Sequence, residues 1–279
     1  SFSAFSEDSK WAEITFIDLQ NLHVVTNEQE TQNQVAAIKK NMDEAAQSGV
    51  DCYLIYAKDM MEALLTYDFE VDGIGNIGEQ AYPPESKHRT EAAYLRKAFK
   101  EVCAYAKKKK IRLFFHAEQI DYPANVLTVI KPVTWGTSIC PGRRAAWNVY
   151  AGKLNEFFTL FPDIDGLQIS GDEAPYSVLL CQCDECSKLT TTDRINRLTK
   201  ESATICQQVG KELQIRTWRK ASGLNIENES PRMTKALPDG VLMATKNTLG
   251  DFQLLNPIDE QFLRAEDPKR LIVEFDAWR

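Results

Sequence analysis

The sequence predicts an α/β chain of the (β/α)8 TIM-barrel class, and three observations predict it. Short apolar runs alternate with segments of helical periodicity along the whole chain. The runs are continuously apolar rather than alternating, which marks parallel strands covered on both faces. The long connections all follow strands while the helix-to-strand turns are short, the asymmetry of a barrel whose site lies at its C-terminal rim. A doubly wound sheet is the alternative, and the lack of a Gly-rich phosphate loop after the first strand counts against it.

Taken in order, residues 1–10 are polar and read as a disordered tail, with the barrel over 11–279. Ile14 to Leu19 is the first strand candidate. Val35, Ile38, Met42 and Ala45-Ala46 give Thr31 to Gln47 a helical period, and Ser48-Gly49 ends it. Val50 to Ala57 is the second strand. Tyr67 to Ser86, rich in Gly, Pro and acids, reads as a long insertion. Glu91 to Lys109 is a helix closing on the basic run Lys107 to Lys110, as the helix dipole favours. Ile111 to Ala117 is the third strand, and Tyr122 to Pro141 a second long loop.

Arg143 to Phe161 is the third helix, with Trp147, Leu154, Phe157 and Phe158 at helical spacing. Gly166 to Ser170 is the fourth strand and Thr192 to Val209 the fourth helix. Glu212 to Trp218 is the fifth strand, Pro231 to Leu237 a short helix, Gly240 to Thr245 the sixth strand and Arg270 to Phe275 the seventh. Seven strand–helix units are thus visible and the eighth strand is missing before Arg279. The barrel is expected to be C-terminally incomplete, with a flanking domain or a partner chain covering the gap.

The 279 residues suffice for one large domain with a sizeable core. A net charge of -7 argues against a nucleic-acid surface. No apolar run reaches membrane-spanning length, and the start has no basic region leading into an apolar core. A soluble protein is expected, cytoplasmic or periplasmic or secreted.

The stretch around which the chemistry is organised is Gly166-Leu-Gln-Ile-Ser-Gly-Asp-Glu-Ala-Pro175. Gly171 breaks the strand, and Asp172 and Glu173 stand just past its C-terminal end, where barrel residues point into the site. A carboxyl raised by burial or by a like charge can protonate a leaving oxygen, and Asp172 would be that like charge for Glu173. The competing reading is a Gly-Asp turn with two solvated acids.

The other strand ends are polar too. They carry Tyr56 and Lys58, then His116, Glu118 and Asp121, then Arg216, Trp218 and Arg219, then Lys246, Asn247 and Asp251, then Glu274, Asp276 and Trp278. Facing carboxylates with aromatic platforms between them suit sugar chemistry. Glycoside cleavage needs one acid and a second carboxylate as base or nucleophile. Trp218, Trp278 and Trp135 are candidates to stack on sugar rings. Each has a plainer alternative: His116 as a hydrogen-bonded core histidine, the tryptophans as closure of the barrel mouth, Glu274 as a partner of Arg216. Several ionisable groups converging on one rim are nevertheless costly unless used.

Of seven cysteines, Cys52, Cys103 and Cys206 read as small buried hydrophobes. Cys181-Gln-Cys183-Asp-Glu-Cys186 is too tight for a relaxed disulfide framework and resembles half of a zinc knuckle, so Cys181, Cys183 and Cys186 are candidate structural zinc ligands. A fourth ligand, with Cys140 the candidate, is not evident from spacing.

Lys246-Asn-Thr-Leu-Gly-Asp251-Phe-Gln253, then Asn256-Pro257 and Val273-Glu-Phe275, resembles the corresponding run of glycoside hydrolase family 67, the α-glucuronidases. The resemblance implies a (β/α)8 barrel and inverting hydrolysis that removes a uronic acid from a polysaccharide or oligosaccharide without a cofactor. It implies Glu173 as general acid, Asp251 as base, and Lys246 with Arg216 on the uronate carboxylate, Arg219 being a rival for the last role. The family's lysine in strand four is replaced here by Gln168, Ile169 and Ser170, and its second base candidate falls at or beyond Arg279.

Ser170-Gly-Asp-Glu173 itself is closer to family 20 hexosaminidases, which it resembles at this strand. That resemblance implies that Asp172 orients a substrate acetamide and Glu173 is the acid. A carbohydrate-binding barrel without turnover is the third possibility. For an inverting pair, the Glu173 and Asp251 carboxyls are expected roughly 6.5–9.5 Å apart.

Overall fold

A computed structural model describes residues 11–15, 28–56, 60–118, 122–135, 138–170, 180–217, 237–246 and 267–274. Its main element is a seven-stranded parallel sheet. The strands are β1 (Trp11–Thr15), β2 (Cys52–Tyr56), β5 (Arg112–Glu118), β8 (Gly166–Ser170), β9 (Glu212–Thr217), β10 (Val241–Lys246) and β11 (Leu271–Glu274). They lie side by side in chain order, each parallel to the next. Crossover helices join consecutive strands: α1 (Glu28–Gln47), α4 (Lys87–Lys109), α6 (Arg144–Leu160) and α7 (Thr191–Gln208). Strand order that follows chain order without reversal is the order of a (β/α)8 barrel and not of a doubly wound sheet. Among the described residues seven strands are present, with β1 and β11 at the two edges. No helix among them is long and apolar enough to cross a membrane.

The first strand begins earlier than its apolar run suggests. It is Trp11–Thr15, paired in register with Cys52–Tyr56, whereas Ile14 to Leu19 was the expected span. Pairing with β2 overrides the local pattern, because strand limits are set by the partner as well as by propensity. The two expected long loops carry elements of their own. Between β2 and α4 run α2 (Met60–Leu64), the hairpin β3 (Glu70–Val71) and β4 (Gly75–Asn76), and α3 (Ile77–Ala81). Between β5 and α6 run α5 (Ala124–Val129) and the hairpin β6 (Thr134–Trp135) and β7 (Ser138–Ile139).

The helix-side face of the sheet holds the main core. Leu113, Phe115 and Ala117 of β5, Leu167 and Ile169 of β8, and Leu213 and Ile215 of β9 alternate onto it. Phe115 meets Phe99 of α4 and Phe157 of α6, with ring centroids 5.7 and 4.9 Å apart. The N-terminus of α7 is closed by a capping box: Thr190 accepts from the Asp193 N–H, and the Asp193 carboxylate accepts from the Thr190 N–H. The docked insertion is anchored by a buried ion pair between Lys153 of α6 and Glu62 of α2. Lys153 also lies 4.9 Å above the ring of Tyr122.

Candidate functional site

The remaining positions of the strands form the opposite face of the sheet, and the register stacks them in three layers. In the lowest, Phe114, Gly166 and Glu212 are partners across β5, β8 and β9. Gly166 is required here by close approach: a Cβ would lie 2.2 Å from the Phe114 ring and 2.8 Å from the Glu212 carbonyl. Arg112 reaches Glu212 at 2.5 Å, with its guanidinium 5.3 Å from the Phe114 ring. Burial holds the Glu212 carboxyl above the usual carboxylate range, against the pull of Arg112.

In the middle layer His116, Gln168 and Gln214 are partners. His116 Nδ1 lies 2.8 Å from Gln168 Oε1, and Gln168 Nε2 donates to Gln214 Oε1 at 3.0 Å. All three residues are buried. Burial, reinforced by the nearby Arg216 cation, pushes the His116 pKa down to about 3, and the Gln168 bond opposes this only in part. A neutral imidazole donating through Nδ1–H fits the direction of the chain. His116 is therefore the hydrogen-bonded core histidine of the plainer reading, one layer beneath the rim.

The top layer is the rim. Glu118, Ser170 and Arg216 are partners across β5, β8 and β9, and Arg216 is partnered by Ala244 of β10. Arg216 is 5% exposed, a guanidinium held at the top of a buried strand. Lys246, two residues beyond Ala244 on the same face, is the partner of Glu274 in β11. The positions of Arg216 and Lys246 are therefore neighbours on one face, with Cα atoms roughly 8 Å apart from the strand spacing and rise. Glu274 stands opposite Lys246 and not opposite Arg216, two strands away.

Of the predicted site residues, the structure brings the positions of Glu118, Arg216, Lys246 and Glu274 to one end of one face, with His116 beneath them. Asp172, Glu173, Trp218, Asn247, Asp251 and Trp278 lie outside the described residues, as do Arg219, Asp121, Lys58 and Asp276. The expected Glu173–Asp251 separation lies outside them too. Asp172 and Glu173 follow Ser170 in sequence with only Gly171 between, so the chain enters the stretch from the centre of the rim. Trp135 is 44% exposed on the β6–β7 hairpin.

A second cluster lies beside this rim. Cys181, Cys183 and Cys186, after β8, meet Cys140 from the end of the β6–β7 hairpin. Cys140 Sγ is 3.5 Å from Cys183 Sγ and 3.5 Å from Cys186 Sγ, and all four sulfurs lie within 4.8 Å of one another. The fourth cysteine is what spacing left undecided. A residue more than forty positions upstream carries no periodic signal, and only its following Pro141-Gly142 turn marks it.

Sequence comparison identifies no family model that matches and no curated protein that matches. Solved structures do match in fold. A family 20 catalytic module of the pneumococcal exo-β-D-N-acetylglucosaminidase aligns at 13% identity and TM-score 0.51, over 86% of this chain and 58% of that one. Flavobacterium johnsoniae chitobiase aligns at 14% identity and TM-score 0.51, over 94% of this chain and 41% of that one. A family 138 enzyme targeting pectin rhamnogalacturonan II aligns at 11% identity and TM-score 0.51, over 91% and 32%. The chain thus spans well under two thirds of each of these proteins. At such identities the likeness shows the barrel fold, and what these enzymes act on is a property of theirs.

Proposed function

We propose that this chain is the catalytic barrel of a glycoside hydrolase acting by acetamide-assisted chemistry, in the manner of hexosaminidases. The observation that carries the reading is the convergence of ionisable positions on the end of one sheet face, with Gly171-Asp172-Glu173 issuing from its centre. The fold likeness to two N-acetylhexosamine-directed enzymes favours this reading over the α-glucuronidase one. Glu173 donates its proton to the leaving glycosidic oxygen. Asp172 accepts the acetamide N–H and turns the acetamide oxygen onto the anomeric carbon, which forms the new C–O bond as the old one breaks. Water then opens the cyclic intermediate, with Glu173 taking back a proton, and configuration is retained. A strand that closes the sheet between β11 and β1, from a flanking segment or a partner, belongs to this proposal.

Removal of a uronic acid by inversion is the second reading. It is favoured by the neighbouring positions of Arg216 and Lys246, two cations suited to one carboxylate. The test is turnover of an aryl N-acetyl-β-hexosaminide and of uronic-acid-capped oligosaccharides by the wild type, Glu173→Gln and Asp172→Asn. The proposal expects turnover of the N-acetyl substrate only, with losses of about 100-fold or more in both variants. Turnover of the uronic substrate that Asp172→Asn spares selects the second reading. Undiminished turnover in Glu173→Gln removes that residue as the acid. Glycan retention with no product release by the wild type makes the barrel a binding module.

A further inference from the structure

The structure assigns Cys140, Cys181, Cys183 and Cys186 to a tetrathiolate zinc site that ties together the loops following the third and fourth barrel strands. This inference does not rest on hydrolytic activity. Four sulfurs around one Zn–S distance of 2.3 Å form a tetrahedron with edges of about 3.8 Å. The observed separations, from 3.5 Å to at most 4.8 Å, bracket that edge and exceed any disulfide bond length. A pair of disulfides would need two sulfur pairs in bonding contact, and all seven cysteines are free. A tetrahedral set of four sulfurs is the donor set of zinc or of iron, and zinc is the commoner structural occupant.

The surroundings are those of metal thiolates as well. Backbone amides are directed at the sulfurs: the Cys183 N–H at Cys181, the Cys186 N–H at Cys183 and the Gly142 N–H at Cys186. Cys183-Asp-Glu-Cys186 is the two-residue spacing in which the second ligand's amide turns back on the first sulfur. Gly142 packs closely against the cluster: a Cβ there would lie 3.2 Å from Cys186 Sγ. Arg194 of α7, 5% exposed, donates to the carbonyls of Cys181 (2.8 Å) and Cys186. Zinc with four thiolates carries two net negative charges, and a buried guanidinium one residue shell away offsets part of them.

The metal would tie together two segments that lie apart in the chain. Cys140 lies between the β6–β7 hairpin and α6, whereas the other three ligands lie between β8 and α7. Cys140, Cys181 and Cys186 are buried together as a small cluster apart from the main core. Little apolar area therefore holds this corner, and a metal is the usual substitute for a missing core.

The test is metal analysis of the purified full chain, prepared without chelator. About one equivalent of zinc per chain is expected, falling below about a tenth in Cys183→Ser and Cys140→Ser, while Cys103→Ala outside the cluster keeps it. Cys183 is the half-exposed member, so Cys183→Ser is the variant least prone to misfold. Replacement by cobalt supplies a second readout, the thiolate charge-transfer and intense d–d bands of a tetrahedral sulfur site. Zinc below about a tenth of an equivalent in the wild type overturns the inference, as does iron as the stoichiometric metal or a mass two hydrogens short that marks a disulfide within the cluster.

Discussion

His116 Nδ1 lies 2.8 Å from Gln168 Oε1, on adjacent strands and in the same layer of the sheet. The pair places a titratable ring where its charged form is unwelcome. The folded pKa is about 3, below the unfolded value of about 6.5. The unfolded chain therefore binds the proton first as pH falls, and the stability contributed by neutral His116 is present above pH 6.5 and lost below it. About 2 kcal/mol is expected to go between pH 6.5 and pH 5. Urea midpoints at the two pH values check this against His116→Gln, in which the difference should shrink by that amount. An unchanged difference would place the proton elsewhere.

Gly166→Ala is expected to destabilise the barrel by about 1–3 kcal/mol, because its Cβ has no room beside the Phe114 ring and the Glu212 carbonyl. Denaturant unfolding measures it. Pairing the change with Phe114→Leu should recover part of the loss, whereas additive losses would show that the ring is not the obstacle.

Lys153→Met should cost about 3–5 kcal/mol, since it leaves the Glu62 carboxylate without the buried ammonium it faces. The double variant with Glu62→Gln should be the more stable of the two, because no unpaired charge then remains inside. A double variant less stable than Lys153→Met contradicts the pairing.

Arg216→Gln separates the two sugar chemistries. If its guanidinium holds a substrate carboxylate, kcat/KM on a uronic substrate should fall about 10- to 100-fold, the worth of a charged hydrogen bond. The N-acetyl substrate, which carries no charge, should lose far less. Equal losses on both would make Arg216 a support for the rim above the His116 layer.

The alternation of apolar runs and helical segments made the parallel barrel legible, since strands covered on both faces must be apolar throughout. Among the described residues the boundaries from Val50 to Thr217 and from Val241 to Lys246 follow that pattern closely, while the expected short helix from Pro231 falls outside them. The first strand did not, because Trp11 to Ala12 are strand by virtue of pairing with Cys52 and Tyr53 and not by their own pattern. The two long loops were legible as insertions but not as hairpins and short helices, whose two-residue strands are too brief to show a period.

By itself the sequence determined the fold class, the polar character of the strand ends and the three clustered cysteines, all of which depend on neighbours in the chain. Only the tertiary structure decided which strand-end residues share a face, that His116 joins Gln168 and Gln214 in a buried layer, and that Cys140 is the fourth sulfur. Those relations are between residues far apart in the chain, and they arise from register and crossover geometry. A one-residue slip in register would turn the strand residues among them to the other face of the sheet.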